Sequence, residues 1–179
     1  GGSGETIRYT VVETPVGWAL IAATARGICM AALGDDKASL EADLRRHLPA
    51  ALIWPADETL RRWAKEIVSF ITHPGAQPDL PLDIAGTAFQ AQVWRALQRI
   101  PPGQTRSYRE IAAVLGRPTA VRAVAQACAG NKLAVLVPCH RVVRSDGDLA
   151  GYRWGIERKR DLLARERTAV AAPADAVAD

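Results

Sequence analysis

Three cysteines, Cys29, Cys128 and Cys139, are all that the 179 residues contain. They are too few and too scattered for a disulfide framework or a CxxC metal site. At least one must stay a free thiol, which fits a reducing, cytoplasmic setting. Long apolar runs are also missing: none approaches the roughly 20 residues of a membrane span. No basic-then-apolar leader opens the sequence, so no membrane partner is expected. Gly1-Gly2-Ser3-Gly4 reads as a linker or tag scar and is set aside from the fold. What is there is enough for a globular chain. The 49% hydrophobic content supports a core, and 23% charged residues of balanced sign exclude wholesale disorder. The length fits one or two small domains.

Charge is unevenly placed. The formal net charge is +4, yet residues 1–85 hold 8 Lys/Arg against 11 Asp/Glu, and residues 86–166 hold 14 against 6. An acidic first half and a strongly basic second half point to two domains, the second facing a polyanion. Charge alone weighs that no more than a solubility bias without a partner.

Residues 7–12, 17–23 and 27–33 are short β-branched or apolar runs, separated by Pro15-Val16-Gly17 and Arg26-Gly27. They predict three strands joined by tight turns. Leu40, Leu44 and Leu48 then recur at helical spacing, and a second helix turns Leu60, Trp63, Ile67 and Phe70 or Ile71 inward. This α/β unit, residues 5–72, clusters no catalytic residue types. His73–Leu82 carries three prolines and a glycine and reads as an irregular interdomain linker, bounded at 73–85. The second domain, 86–167, opens with Thr87-x-x-Gln90, a capping box for a helix over 88–99 that Pro101-Pro102-Gly103 stops. Residues 168–179, mostly alanine with a few acids and a proline, read as a disordered tail.

Ser107-x-x-Glu110 is another capping box, predicting a short helix 108–115 that ends at Gly116. Pro118 suits the first turn of a second helix running to about Cys128. Two short helices and a glycine turn in the basic half fit a helix-turn-helix, a weak signal by itself. The second helix has only Arg122 and Gln126 as long polar side chains, both on one face, among small residues such as Ala123. That is too little for specific base reading. It suits close approach to a groove with one arginine wedged into the stack, or equally a tightly packed core helix.

Leu133–Val137 reads as a buried, strand-like run leading into Pro138-Cys139-His140-Arg141-Val142-Val143. A nucleophilic cysteine needs a lowered pKa, which cationic neighbours or a base supply. Cys139 has His140 and Arg141 beside it, whereas Cys29 and Cys128 lie in apolar or alanine-rich surroundings and read as small core residues. Consecutive side chains diverge, so His140 reaches Cys139 through a sharp turn or a bridging water. A basic histidine also needs a partner to fix its tautomer. Glu166 is one candidate, its other reading being a solvated glutamate paired with Arg165 or Arg167.

The run PCHRVV at 138–143, with SYREIA and AVRAVAQACAGNKLAVLV before it and GYRWG and LLARE after it, resembles the O6-alkylguanine-DNA alkyltransferases. The likeness is strong over 86–166 and looser over 5–85. It is nearest to the C-terminal half of Ada-type bacterial regulators, whose zinc-bearing phosphotriester-accepting domain is absent from this sequence. The resemblance implies a ribonuclease-H-like α/β N-terminal domain and a mainly helical C-terminal domain with a helix-turn-helix. It implies direct, irreversible transfer of the alkyl group from O6-alkylguanine in double-stranded DNA, and from O4-alkylthymine, to the protein's own cysteine. No cofactor and no metal are required, and a monomer is expected. Cys139 would be the acceptor, His140 the water-mediated base, Glu166 its carboxylate and Asn131 a brace of the turn. Tyr108 would turn the 3′ phosphate and protonate the leaving guanine. Arg122 would fill the gap left by the flipped base, with Gln126 and Ala123 beside it on the DNA face. Tyr152, Arg153 and Trp154 would wall the base pocket, and bulky Trp154 would favour methyl over benzyl groups. Alkyltransferase-like proteins replace the cysteine, so Cys139 speaks against that inactive class. Some members hold a structural zinc in the N-terminal domain, for which Cys29 alone offers no ligand set.

Overall fold

The computed structural model describes residues 4–172. Three strands form as expected: β1 (Thr6–Thr14), β2 (Gly17–Ala23) and β3 (Ile28–Gly34). They pair antiparallel, β1 with β2 and β2 with β3. In β2, Leu20 and Ala22 alternate with Ile21 and Ala23, and all four are buried, so both faces of this strand are covered. Helix α1 (Lys37–His47) starts at Asp36, whose carboxylate accepts from the Ser39 N–H, and buries Leu40 and Leu44. Helix α2 (Glu58–Thr72) starts in the same way at Asp57 and buries Leu60, Ala64, Ile67, Phe70 and Ile71.

Between the helices lies β4 (Leu52–Pro55), which the sequence reading does not anticipate. It runs parallel to β1 and completes a sheet of order β3-β2-β1-β4. Its four residues show no buried alternation, because Leu52 and Trp54 sit on an edge and stay more than half exposed.

Residues 73–85 are irregular but not loose. The Ile28 N–H donates to the Pro81 carbonyl and the Asp83 N–H to the Ile28 carbonyl, so this stretch lies along β3. Gln77 reaches into the second half of the chain, to Val135 and Arg141. The halves are joined again where Ala31 of β3 bridges Leu133.

The second half contains α3 (Ala88–Gln98), α4 (Tyr108–Val114), α5 (Val121–Ala129) and α6 (Ile156–Ala171). A two-residue parallel pair, β5 (Arg106–Ser107) with β6 (Val142–Val143), holds the loops together. Both capping boxes form, at Thr87–Gln90 and Ser107–Glu110. Trp94 of α3 donates its indole N–H to the Ala127 carbonyl of α5 over 2.9 Å, fixing those two helices.

Three expectations change. Helix α5 starts at Val121 rather than Pro118, which lies in a turn closed by the Ala120 N–H on the Arg117 carbonyl. Residues 133–137 are a tight turn, not a strand. Helix α6 runs to Ala171, past the expected start of the tail. The rest of that tail, 173–179, and residues 1–3 of the leading glycine-rich segment lie outside the described residues. Among the described residues no helix is long and apolar enough to cross a membrane.

Candidate active site

The turn replaces a strand because Asn131 captures its backbone. Asn131 Nδ2 donates to the carbonyls of Leu133 (3.3 Å) and Val137 (2.8 Å), and Oδ1 accepts from the Leu133 N–H at 2.9 Å. With those groups occupied the chain curls round the amide instead of extending. Val135 sits in the left-handed region at φ 70°, and the Leu136 N–H bonds back to the Ala134 carbonyl. This is the rare, strained form of γ-turn. Pro138, at φ −80° and ψ 63°, centres an inverse γ-turn closed by the Cys139 N–H on the Val137 carbonyl. Proline's fixed φ suits that geometry. A single 3-10 turn, Cys139–Arg141, follows at once.

Cys139 lines a cavity of about 580 Å³. Tyr108 at the start of α4 and Val121, Arg122, Ala125 and Cys128 of α5 form one part of its wall, and Arg144 with the loop Ala150–Arg153 forms another. Asn131 stands at the rear, its Nδ2 donating to Cys139 Sγ at 3.2 Å. Burial pushes the Cys139 thiol up to about 11, against the Asn131 hydrogen bond and the Lys159 charge. The lowered thiol expected from the sequence is therefore not what the site provides. At neutral pH the resting sulfur is protonated, and a base must take its proton during the reaction.

His140 is that base candidate. Its ring is 1% exposed, and Nε2 lies 3.1 Å from Glu166 Oε2 on α6. Burial pushes the imidazole down, outweighing the raising effect of Glu166, so it rests neutral. With the Nε2 proton on the Glu166 side, Nδ1 carries the lone pair, and that buried atom has no hydrogen-bond partner among the described residues. Burial would raise the Glu166 carboxyl, but the hydrogen bonds and charges of His140 and Arg141 hold it at about 2. Glu166 is thus buried and shared, not a solvated partner of Arg165 or Arg167.

Arg141 and Lys159 are parts of the site that the sequence reading leaves without a structural role. Arg141 is fully buried. Its Nε and Nη2 donate to Glu166 at 2.9 and 2.7 Å, and Nη1 donates to the Ile100 carbonyl at 2.8 Å. Lys159, also fully buried, donates from Nζ to the carbonyls of Val142 (2.6 Å) and Gly151 (3.2 Å). No motif marks Lys159. Only its place among the inward positions of α6 gives a signal, and a lysine there reads as an exposed residue.

The remaining candidates divide. Tyr108 faces the cavity half-buried, and burial pushes its phenol up to about 12. Arg122 and Gln126 are both exposed on α5, but only Arg122 lines the cavity, and Ala123 does not. Tyr152 and Arg153 line it as expected. Trp154 does not, which corrects its assignment to the pocket wall. It is buried behind the loop, packing edge-on against Tyr152 with centroids 5.2 Å apart and lying under the Arg153 guanidinium. The nearby bulk comes from Tyr152 instead. Cys128 is a buried residue, as expected, but it also lines the cavity.

Residues 7–63 match the family model described as the 6-O-methylguanine DNA methyltransferase ribonuclease-like domain, and residues 88–168 match the DNA binding domain of the same family. Over 166 residues, 93% of this chain, the sequence is 50% identical to the bifunctional transcriptional activator/DNA repair enzyme Ada of Escherichia coli. That match covers 47% of Ada, so the chain spans about half the length of this relative. A methylated-DNA–protein-cysteine methyltransferase of Mycolicibacterium paratuberculosis is 38% identical over 90% of this chain and 93% of its own. The crystal structure of Mycobacterium tuberculosis O6-methylguanine methyltransferase superposes with a TM-score of 0.79 at 34% identity, covering 97% of this chain and 99% of the other. A structure from the same organism in complex with DNA gives 0.77 at 35% identity, covering 94% and 97%. With this likeness running through both halves, the chain belongs to the 6-O-methylguanine DNA methyltransferase family.

Proposed function

We propose that the protein repairs DNA by taking the alkyl group of O6-alkylguanine, and of O4-alkylthymine, onto Cys139 in one irreversible step. The observation that carries this reading is Cys139 lining a cavity together with Tyr108 and Arg122, backed by the buried His140–Glu166 pair. The cavity's about 580 Å³ lies within the range of small-molecule sites, ~300–1,000 Å³.

The basic second half binds duplex DNA through its phosphates, with little sequence preference and strong salt dependence. The small residues of α5 allow close approach to the groove. Arg122 enters the stack where the damaged base leaves it. The base must flip, because an O6 substituent inside a duplex cannot reach a buried sulfur. A lesion that pairs badly is easier to extrude.

In the cavity, His140 Nδ1 takes the Cys139 proton through a bridging water, and Glu166 steadies the imidazolium that forms. The sulfur attacks the alkyl carbon in line, the S–C bond forming as the C–O6 bond breaks. Tyr108 protonates the departing O6, the proton released by Cys139 restoring the phenol through the site. Its high pKa keeps that phenol a donor until charge develops on the oxygen. The products are unmodified guanine and a thioether. No group in the site can cleave the thioether, so each chain acts once.

A duplex with one O6-methylguanine per strand pair, supplied in excess, tests this. One lesion lost per protein chain, followed by no further loss, is expected. Continued turnover, or no loss of lesion, would overturn the reading.

A further inference from the structure

The proline-rich stretch between the halves contributes a side chain to the acceptor loop. Gln77 is half-buried, and both ends of its amide are engaged. Nε2 donates to the Val135 carbonyl at 2.9 Å, and Oε1 accepts from Arg141 Nη2 at 2.8 Å. Val135 and Arg141 bracket the short loop that presents Cys139.

Both anchor points carry strain or charge. Val135 is a buried β-branched residue at φ 70°, a conformation that persists only where its surroundings hold it. Arg141 is fully buried, and apart from Glu166 and the Ile100 carbonyl its one other partner among the described residues is Gln77. Releasing Gln77 frees one end of the loop to relax. At the other end it leaves an Arg141 N–H without its acceptor, beside the carboxylate that His140 uses.

We infer that Gln77 is a positioning residue for the methyl transfer, a strut from the interdomain segment that sets the acceptor loop and the Arg141–Glu166–His140 group in register. Pro74, Pro78 and Pro81 stiffen the segment around it, and its pairing with β3 at Pro81 and Asp83 anchors it to the first half. The first half is thereby coupled to the rate of the reaction as well as to the stability of the chain.

This inference rests on the proposed alkyl transfer, and a single-turnover experiment separates the two. With a methylated duplex in excess, the amplitude counts folded, competent molecules, and the rate constant reads positioning. Gln77→Met keeps the volume and removes both hydrogen bonds. It should retain an amplitude near one methyl per chain while its rate constant falls about 10-fold or more, as expected for a small misplacement of reacting groups. Gln77→Glu keeps the acceptor for Arg141 and loses the donor to Val135, and its rate constant should also fall, which provides the test should the Met variant not fold. Wild-type transfer with an unchanged rate constant in both variants, whatever their amplitudes, would overturn the role of Gln77 alone. Absence of transfer by the wild type would overturn the function beneath it.

Discussion

Asn131 Nδ2 donates a hydrogen bond to Cys139 Sγ over 3.2 Å, and the same nitrogen holds the Val137 carbonyl two residues before the sulfur. One buried amide therefore shapes the loop and favours the anionic form of the acceptor. Asn131→Ala leaves several buried backbone groups unpaired and should destabilise the fold by about 3 kcal/mol. Its methyl-transfer rate constant should fall further than reduced folding explains. Denaturant melts paired with single-turnover rates check this, and a stable variant with wild-type rates would contradict it.

The His140–Glu166 pair sets the pH dependence. A neutral His140 accepts the proton, and its pKa is lowered from the ordinary 6.5, so the rate should fall only as pH drops below that value. The thiol, pushed up to about 11, does not ionise near neutrality. The rate constant should therefore stay flat between about pH 7 and 9, where an ordinary thiol would rise through ~8.5. A rise parallel to thiol ionisation in that window would contradict the relay.

Stability should respond to acid in the same direction. Glu166 at about 2 ionises more readily folded than unfolded, so its contribution is full above the unfolded carboxylate range and is lost as pH falls through about 4 towards 2. His140 is harder to protonate folded than unfolded, so the unfolded chain takes up its proton first and stability falls below about pH 6.5. Thermal melts from pH 7 down to about pH 2 should show this loss, and Glu166→Gln should lessen its slope below about pH 4, where Glu166 takes up its proton. An unchanged slope in that variant would count against the assignment.

Arg122→Ala should weaken duplex binding and slow repair on duplex. Reaction with free O6-methylguanine base should be largely spared. Fluorescence anisotropy at several salt concentrations and rates on both substrates decide it, and an equal loss on both would refute the stack-filling role.

Lys159→Met should uncouple the pocket loop. Removing the ammonium leaves the Val142 and Gly151 carbonyls short of a donor, a cost of about 1–3 kcal/mol each where no water replaces it. It also removes a charge that favours the Cys139 thiolate. Hydrogen exchange across 148–154 should quicken and the transfer rate fall. Unchanged exchange would show that the loop does not depend on Lys159.

Local signals made much of this fold legible. Capping boxes at Thr87 and Ser107, leucines at helical spacing and β-branched runs each name an element from its own residues. The site was legible where its groups adjoin in sequence, at Cys139 and His140. β4 escaped because an edge strand with exposed Leu52 and Trp54 carries no buried face. Leu133–Val137 reads as a strand because five apolar residues look the same in a strand or a buried turn, and the deciding interaction is the side chain of Asn131. Gln77, Arg141 and Lys159 acquire their roles from partners far along the chain. Trp154 lies next to two pocket residues in sequence yet packs behind them, against Tyr152 and under the Arg153 guanidinium.

The most direct test is peptide mapping by mass spectrometry after incubation with a duplex carrying O6-methylguanine. A single added methyl on the peptide containing Cys139, none on those containing Cys29 or Cys128, and none anywhere in Cys139→Ala is the expected result. Methyl on another residue, or repair without any adduct on the protein, would contradict Cys139 as the acceptor.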